Sequence, residues 1–397
     1  MRTIPHLDMN SYFATAEQQA NPYLRDQPVG IVKAAGRGCV IAASIEAKKW
    51  GVSTGCTVWE AKKRCPQIVF VPSDMDKYFA ITQRLIQIVS DYSPTVEVFS
   101  IDEMWADVSA TQQLFSGGAL EIALEMKQRI HQHLGEWLKC SVGISFTKLL
   151  AKLASEMHKP NGLTFLNEDD YLAKTAPVAV EEVCGIGYSR TSYLHSRGAY
   201  TLGVARQLDN LPGEIADLVW LRNDDNLTTL ADLDPAKSVS RTFTTFTLVN
   251  SQTAILKLVR NLVEEASSKL RQMQLVGRTL GLSLSSQGQG YWDRLTLISP
   301  TDDGRIIFDV LSQRYLQRPV SEVRQAGVWI SNLSPDTQPS LFGRRRAALA
   351  AVDAVNDQFG LFTLYPGQLL GNELIQPEVT GYLGDKWYRF GKIGPHG

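Results

Sequence analysis

Two acidic residues side by side in an apolar run are the chain's clearest chemical signal. The run is Val96-Glu97-Val98-Phe99-Ser100-Ile101-Asp102-Glu103-Met104-Trp105-Ala106-Asp107-Val108, strand-like in composition, with Asp102 and Glu103 at its middle. Ionised side chains in such a setting are costly unless something compensates their charge. A hard divalent cation with oxygen ligands suits a carboxylate pair best, because it removes the like-charge repulsion and can also do chemistry. A third oxygen ligand is offered by Pro5-His6-Leu7-Asp8-Met9-Asn10, where Asp8 closes another short apolar run.

Those acids need a scaffold. Residues 11–19 read as a helix with an apolar stripe at Tyr12, Phe13 and Ala16, stopped by Asn21-Pro22. Residues 28–32 and 39–43 read as neighbouring strands across the turn 34–38. A short helix follows at 46–50, where Lys48 and Lys49 are either a solvated face or a phosphate grip after a glycine-bearing turn. A helix at 58–64, a strand at 68–71 and a helix at 77–90 lead to the acidic strand. A helix at 119–138 is expected to turn Leu120, Leu124, Met126, Ile130 and Leu134 inward, with a strand at 140–145 and a helix through 148–154 after it. Acidic side chains brought together from distant strands and backed by helices define an α+β layer.

At 397 residues, the chain calls for two to four domains. With 44% hydrophobic and 20% charged residues it reads as globular. No apolar run is long enough to span a membrane and no secretory leader is seen, so no membrane association is expected. Five cysteines without a C-x-x-C pair read as reduced, buried thiols, which points to the cytoplasm. His131 and His133 cannot share a helix face, so no zinc signature arises. Net charge is −1 overall but uneven. Residues 1–237 hold 23 Lys+Arg against 28 Asp+Glu, a net of −5, whereas 238–333 hold 11 against 7, a net of +4. The later segment could grip a phosphate backbone or simply be an ordinary solvated surface.

Glu182-Val183-Cys184-Gly185-Ile186-Gly187-Tyr188 and the helix 189–197 look like a helix-hairpin-helix. Its glycine turn either offers backbone N–H groups to a phosphate or is a plain interhelical turn. After a linker at 230–237, strands and helices follow in the order β-α-β-β-α-β up to residue 330. Leu341-Phe342 then lies in a polar, proline-containing segment, as a tether packed back on the protein or an anchor for a partner's pocket. Residues 344–359 look helical.

In their order and spacing, four motifs resemble the Y-family translesion DNA polymerases. They are His6-Leu7-Asp8-Met9-Asn10-Ser11-Tyr12-Phe13-Ala14, Ser100-Ile101-Asp102-Glu103, Ser141-Val142-Gly143-Ile144-Ser145 with Lys159-Pro160-Asn161-Gly162, and Gly185-Ile186-Gly187. The resemblance spans residues 1 to about 342. It implies a multidomain right-hand polymerase: a palm (1–10 and 74–166), small fingers (11–73), a helical thumb (167–233), a linker (234–240), a little finger (241–333) and a tail (334–397).

It implies further that Asp8, Asp102 and Glu103, with the Met9 carbonyl, hold two Mg²⁺ ions. Phe13 matches the steric gate under the sugar, and Lys159 the triphosphate-binding lysine, assisted by Lys48. Gly185, Gly187 and Arg241 are the expected DNA contacts. Gln338-Pro339-Ser340-Leu341-Phe342 resembles a sliding-clamp peptide, with Gln338, Leu341 and Phe342 as its anchors. The implied partners are primer-template DNA, dNTP and the clamp, and the implied state is a cytoplasmic monomer engaged in low-fidelity, mutagenic repair synthesis. In the fingers, Ile45 and Lys48 stand where the polymerase IV group has Tyr and Arg, and residues 38–48 look more like the polymerase V catalytic subunit. The alternative reading is a polymerase-like scaffold that binds DNA and the clamp with impaired catalysis.

Overall fold

Strand β1 (Ile4–Met9) is buried along its whole length, including its two polar residues His6 and Asp8. In the computed structural model, residues 2–34, 37–222, 226–232, 236–286, 290–335, 344–360 and 362–370 are described. They form two compact units, one up to Leu233 and one from Asp234.

The first unit runs β1, α1 (Tyr12–Ala20), β2 (Val29–Ala34), β3 (Arg37–Ala43), α2 (Ile45–Lys49), α3 (Val58–Arg64), β4 (Val69–Pro72) and α4 (Met75–Ser90). It continues with β5 (Val96–Val98), β6 (Glu103–Ala106), α5 (Gly118–Leu134), β7 (Cys140–Ser145), α6 (Lys148–Met157) and β8 (Leu163–Phe165). Four short helices complete it: α7 (Tyr171–Thr175), α8 (Tyr188–Ser196), α9 (Leu202–Ala205) and α10 (Gly213–Val219). The main sheet has the order β5-β6-β1-β7-β8, so β1 is central and antiparallel to both neighbours. A small sheet, β3-β2-β4, shares a core of Val40, Ala43, Ala47, Val52, Ala61 and Ile68 with α2 and α3. Helices α2 and α3 start on N-caps at Ser44 and Thr57, the latter in a capping box with Glu60.

Two expectations change here. The acidic run is a hairpin and not one strand, with β5 and β6 paired through Val98↔Met104. The amides of Phe99 and Ser100 both donate to the Glu103 carbonyl at 3.1 Å, and the Ser100 hydroxyl reaches Asp102 Oδ1 at 2.5 Å. A Ser-x-Asp turn, hidden among apolar neighbours, thus folds the chain back and places both acids at the hairpin end. In α5 the buried stripe is Ala119, Ile122, Ala123, Met126 and Ile130, whereas Leu120 and Leu124 face outward at 42% and 56% exposure. The small alanines allow close packing, and the helix ends at Gly135, with φ 117°, before Leu138.

The second unit has the expected β-α-β-β-α-β order: β9 (Ser238–Val249), α11 (Gln252–Gln272), β10 (Leu275–Ser286), β11 (Gly290–Thr301), α12 (Gly304–Gln317) and β12 (Val323–Pro335). Its sheet runs β11-β10-β12-β9 and buries Leu280, Leu282, Leu284, Val328 and Ile330 together with Ile255, Leu262 and Leu311 of the helices. A last helix, α13 (Arg344–Phe359), is fastened to α11 by Arg271, which pairs with both Asp353 carboxylate oxygens at 2.6 and 2.8 Å. The clamp-like residues Gln338, Leu341 and Phe342 lie outside the described residues.

Candidate active site

Register sets the site. Asp8 on β1 stands opposite Glu103 on β6 and Ser141 on β7, and the Met9 amide donates to the Asp102 carbonyl at 2.9 Å. The three acids expected from the sequence are therefore brought to adjoining strand ends.

Each acid has its own compensation. Asp8 accepts from Lys159 Nζ at 2.7 Å, yet burial outweighs that partner and raises its pKa to about 6. Burial also raises Asp102, against the hydrogen bond from Ser100, and the neighbouring Glu103 charge pushes the same way. Glu103 goes down, to about 2. Burial opposes this shift, but the His6 ring, with Nε2 at 3.4 Å, and the ammonium of Lys152 together outweigh it. Burial lowers the pKa of His6 itself, and its Nδ1 lies 2.8 Å from Ser155 Oγ on α6.

Lys152 is a site residue that the sequence reading passed over, as are Asn10 and Ser141. Lys148 and Lys152 recur four residues apart on a largely apolar helix, and they pair with Glu97 at 2.7 Å and with Glu103. That spacing, on a face that must be buried, was the available signal. Asn10 and Ser141 hold the turn after Lys159: Asn161 N donates to Asn10 Oδ1 at 2.6 Å and Gly162 N to Ser141 Oγ at 3.1 Å.

Phe13 is 3% exposed and stacks on Tyr78 at 4.3 Å, with 12° between ring planes. Helix α1 therefore begins right after the acidic strand end, through Ser11 in the left-handed region at φ 49°. Lys48 is exposed on α2. Desolvation of its ammonium and the Lys159 charge lower its pKa, while Asp8 and Asp102 raise it, so it shares their field. Ile45 opens the same helix and brings no polar group.

The remaining expected residues have surroundings of their own. Gly185 is needed at its position, with φ 96° and the Leu218 side chain 3.0 Å from where a Cβ would sit, while Gly187 has open space around it. Arg241 is turned toward α11, where its Nε lies 3.7 Å from Glu265. It lies two residues from the buried Val239 on β9, so it shares the core side of the strand instead of the open sheet face.

Among the described residues, no three His, Cys, Asp or Glu side chains close around a metal. The donor set nonetheless suits a hard divalent cation. Three carboxylates adjoin, and Asp8 and Asp102 are raised by burial because nearby positive charge falls short of their need.

A central sheet bearing paired acids, with a separate β-α-β-β-α-β unit, defines the class, and the chain belongs to the Y-family DNA polymerases. It matches the impB/mucB/samB family over residues 7–156 and that family's C-terminal domain over 236–341. Among its relatives, DNA polymerase IV of Pelotomaculum thermopropionicum is 35% identical over 371 residues, covering 89% of this chain and 92% of that protein. DNA polymerase IV of Moorella thermoacetica is 35% identical over 373 residues, with the same two coverages of 89% and 92%. A solved Y-family DNA polymerase chimera, Dbh-Dpo4-Dbh, shares the fold at a TM-score of 0.71 and 21% identity, covering 84% of this chain and 100% of that one. The resemblance read from the motifs thus holds, and the named relatives are polymerase IV proteins even though Ile45 and Lys48 depart from that group's pattern. Among the described residues, no helix is long and apolar enough to cross a membrane.

Proposed function

We propose that this chain is a template-directed DNA polymerase that adds dNTPs to a primer 3′-hydroxyl and copies damaged templates with low fidelity. The observation that carries this reading is the pairing of Asp8 with Glu103 across β1 and β6, with Lys159 2.7 Å from Asp8. Asp8, Asp102, Glu103 and the Met9 carbonyl would hold two Mg²⁺ ions. When bound, such ions lower the pKa of the primer hydroxyl and neutralise charge developing on the α-phosphate.

The chain's own residues do the rest. His6 and Lys152 keep Glu103 ionised, so it stays an acceptor at any working pH. Lys159 exchanges Asp8 for the triphosphate, and Lys48 adds positive charge from α2, though as a point charge without the bidentate fork of an arginine. Phe13, braced on Tyr78, is the floor under the sugar that leaves no room for a 2′-hydroxyl. The segments 1–10 with 74–166, 11–73, 167–233 and 241–333 act as palm, fingers, thumb and little finger. Gly185 and Gly187 present backbone N–H groups to the DNA phosphates. Residues 338–342 dock in a sliding clamp, and the enzyme works as a monomer in the cytoplasm on primer-template DNA.

Primer extension with purified protein tests this. Wild type extends a primer with Mg²⁺, and Asp102→Ala or Glu103→Ala abolishes extension. Normal extension in either variant overturns the assignment, and a wild type that binds DNA but extends nothing favours the scaffold reading. The clamp contact is tested by pull-down with Leu341→Ala/Phe342→Ala, for which unchanged binding counts against it.

A further inference from the structure

Lys127 sits on α5, outside the elements that carry the acids, and its ammonium is spent entirely on backbone and amide oxygens. Nζ lies 2.6 Å from the Cys140 carbonyl, 3.0 Å from the Asn161 carbonyl, 2.8 Å from Asn161 Oδ1 and 3.2 Å from the Gly162 carbonyl. Among the described residues no carboxylate stands within ion-pair distance of it. Burial lowers its pKa, so the charge is held there at an electrostatic cost and not as a solvated surface group.

What those oxygens belong to is the turn that carries Lys159. Asn161 adopts the left-handed region at φ 58°, a conformation that Asn tolerates but that needs support from its surroundings. Gly162 is boxed in, since a Cβ there would come within 2.3 Å of the His158 carbonyl. The turn's N–H groups are already taken: Asn161 N by Asn10, Gly162 N by Ser141, while Val142 N donates back to the Gly162 carbonyl at 3.0 Å. Lys127 seizes the same turn through its carbonyls, from the α5 side. Asn10, on the other side, follows Met9 directly in the chain. Two residues before the turn's apex, Lys159 reaches Asp8 at 2.7 Å and Glu156 at 2.6 Å.

We propose that Lys127 is a positioning residue: it locks the Asn161–Gly162 turn and so fixes Lys159 beside the carboxylates, where the incoming triphosphate is met. This rests on the polymerase reading above and assigns Lys127 no contact with substrate. A role in triphosphate capture and a role in stability alone make different demands. Without the ammonium the carbonyls could turn to water, so the fold tolerates the loss, whereas a charged anchor displaced by about 1 Å loses up to roughly a hundredfold in a reacting complex.

The test is a double-mutant cycle in primer extension, using Lys127→Met, Lys159→Ala, the double variant and Lys127→Arg. Lys127→Met is expected to raise the KM for dNTP about tenfold, with kcat changed far less and primer-template affinity unchanged. In the Lys159→Ala background the same substitution should add less than about twofold, because its effect runs through Lys159. Lys127→Arg recovers part of the loss. An unchanged KM, or the same factor in both backgrounds, overturns the proposal. Amide hydrogen exchange supplies a readout independent of catalysis: the amides of 161 and 162 should exchange about tenfold faster in Lys127→Met, and unchanged protection also overturns it. If wild type extends no primer, the polymerase reading falls while the exchange measurement still decides whether Lys127 holds the turn. Should Lys127→Met fail to fold, Lys127→Gln, which keeps an N–H donor without the charge, is expected to give an intermediate loss in both measurements, and a wild-type result there overturns the proposal equally.

Discussion

Asp8 and Glu103 face one another yet respond to pH in opposite senses. Asp8 is raised to about 6 from an ordinary value near 3.8, so its contribution favours the folded state below that ordinary value and is lost as pH rises through 6. In the metal-free protein, Asp8→Asn should therefore gain stability over wild type between pH 4 and 7, by up to about 3 kcal/mol, measured by urea unfolding. Glu103, lowered to about 2, behaves conversely. Its contribution is present above its ordinary value near 4.5 and fades as pH falls toward 2, so Glu103→Gln should destabilise at pH 7 more than at pH 3. A flat difference across pH for both variants would contradict these shifts. Phe13 carries two roles at once. Phe13→Ala is expected to raise ribonucleotide incorporation and, because the ring is buried against Tyr78, to lower stability by about 3–5 kcal/mol. Phe13→Leu keeps most of the volume, and an unchanged dNTP/rNTP ratio in both variants removes Phe13 from the gate. The acids were readable because charge in an apolar run is conspicuous. Lys152 was not, since its partner lies in a strand 49 residues away. The orientation of Arg241 follows from strand parity, since it lies two residues from the buried Val239.

Helix α6 lies so close to β7 that one atom decides the fit. A Cβ on Gly143 would fall 2.1 Å from the Ala151 carbonyl oxygen and 2.2 Å from the Ser155 amide, backbone that cannot swing aside. Gly143→Ala should cost about 3 kcal/mol or more and lower the melting temperature visibly, and because α6 carries Lys152 and Ser155, it should lower extension activity as well. A near-neutral melting temperature would show that the layers slide apart easily. The elements themselves were legible: β7, α3 and the whole β-α-β-β-α-β unit fall where turn residues and periodicity place them. The hairpin within 96–108 was not, because the turn 99–102 holds Phe99 and Ile101 beside Ser100 and Asp102 and so reads as continuous strand. Nor was the rotation of α5, where Ala119 and Ala123 take the inner face that leucine spacing seemed to claim for Leu120 and Leu124.

At the scale of the whole molecule, the chain divides into two compact units at Leu233, and the sequence expects a linker at 230–237. What it could not anticipate is the fastening of α13. Arg271, only 9% exposed, grips Asp353 through two hydrogen bonds and also meets the Asp302 carbonyl at 3.1 Å. Asp353→Ala should release α13, seen as amide exchange across 344–359 accelerating while β10 and β12 stay protected, with a local loss of about 1–3 kcal/mol. Equal protection in the variant would mean that the helix is held by other contacts.

That fastening also has a mechanical side. Strand β12 ends at Pro335 in the sheet, and α13, which begins at Arg344, is bolted to α11, so the elements on both sides of residues 336–343 are held in the same unit. A partner that takes hold of residues 338–342 pulls on two moorings at once. Load is shared between a hydrogen-bonded ladder and an ion pair, and the connection fails only when both give way.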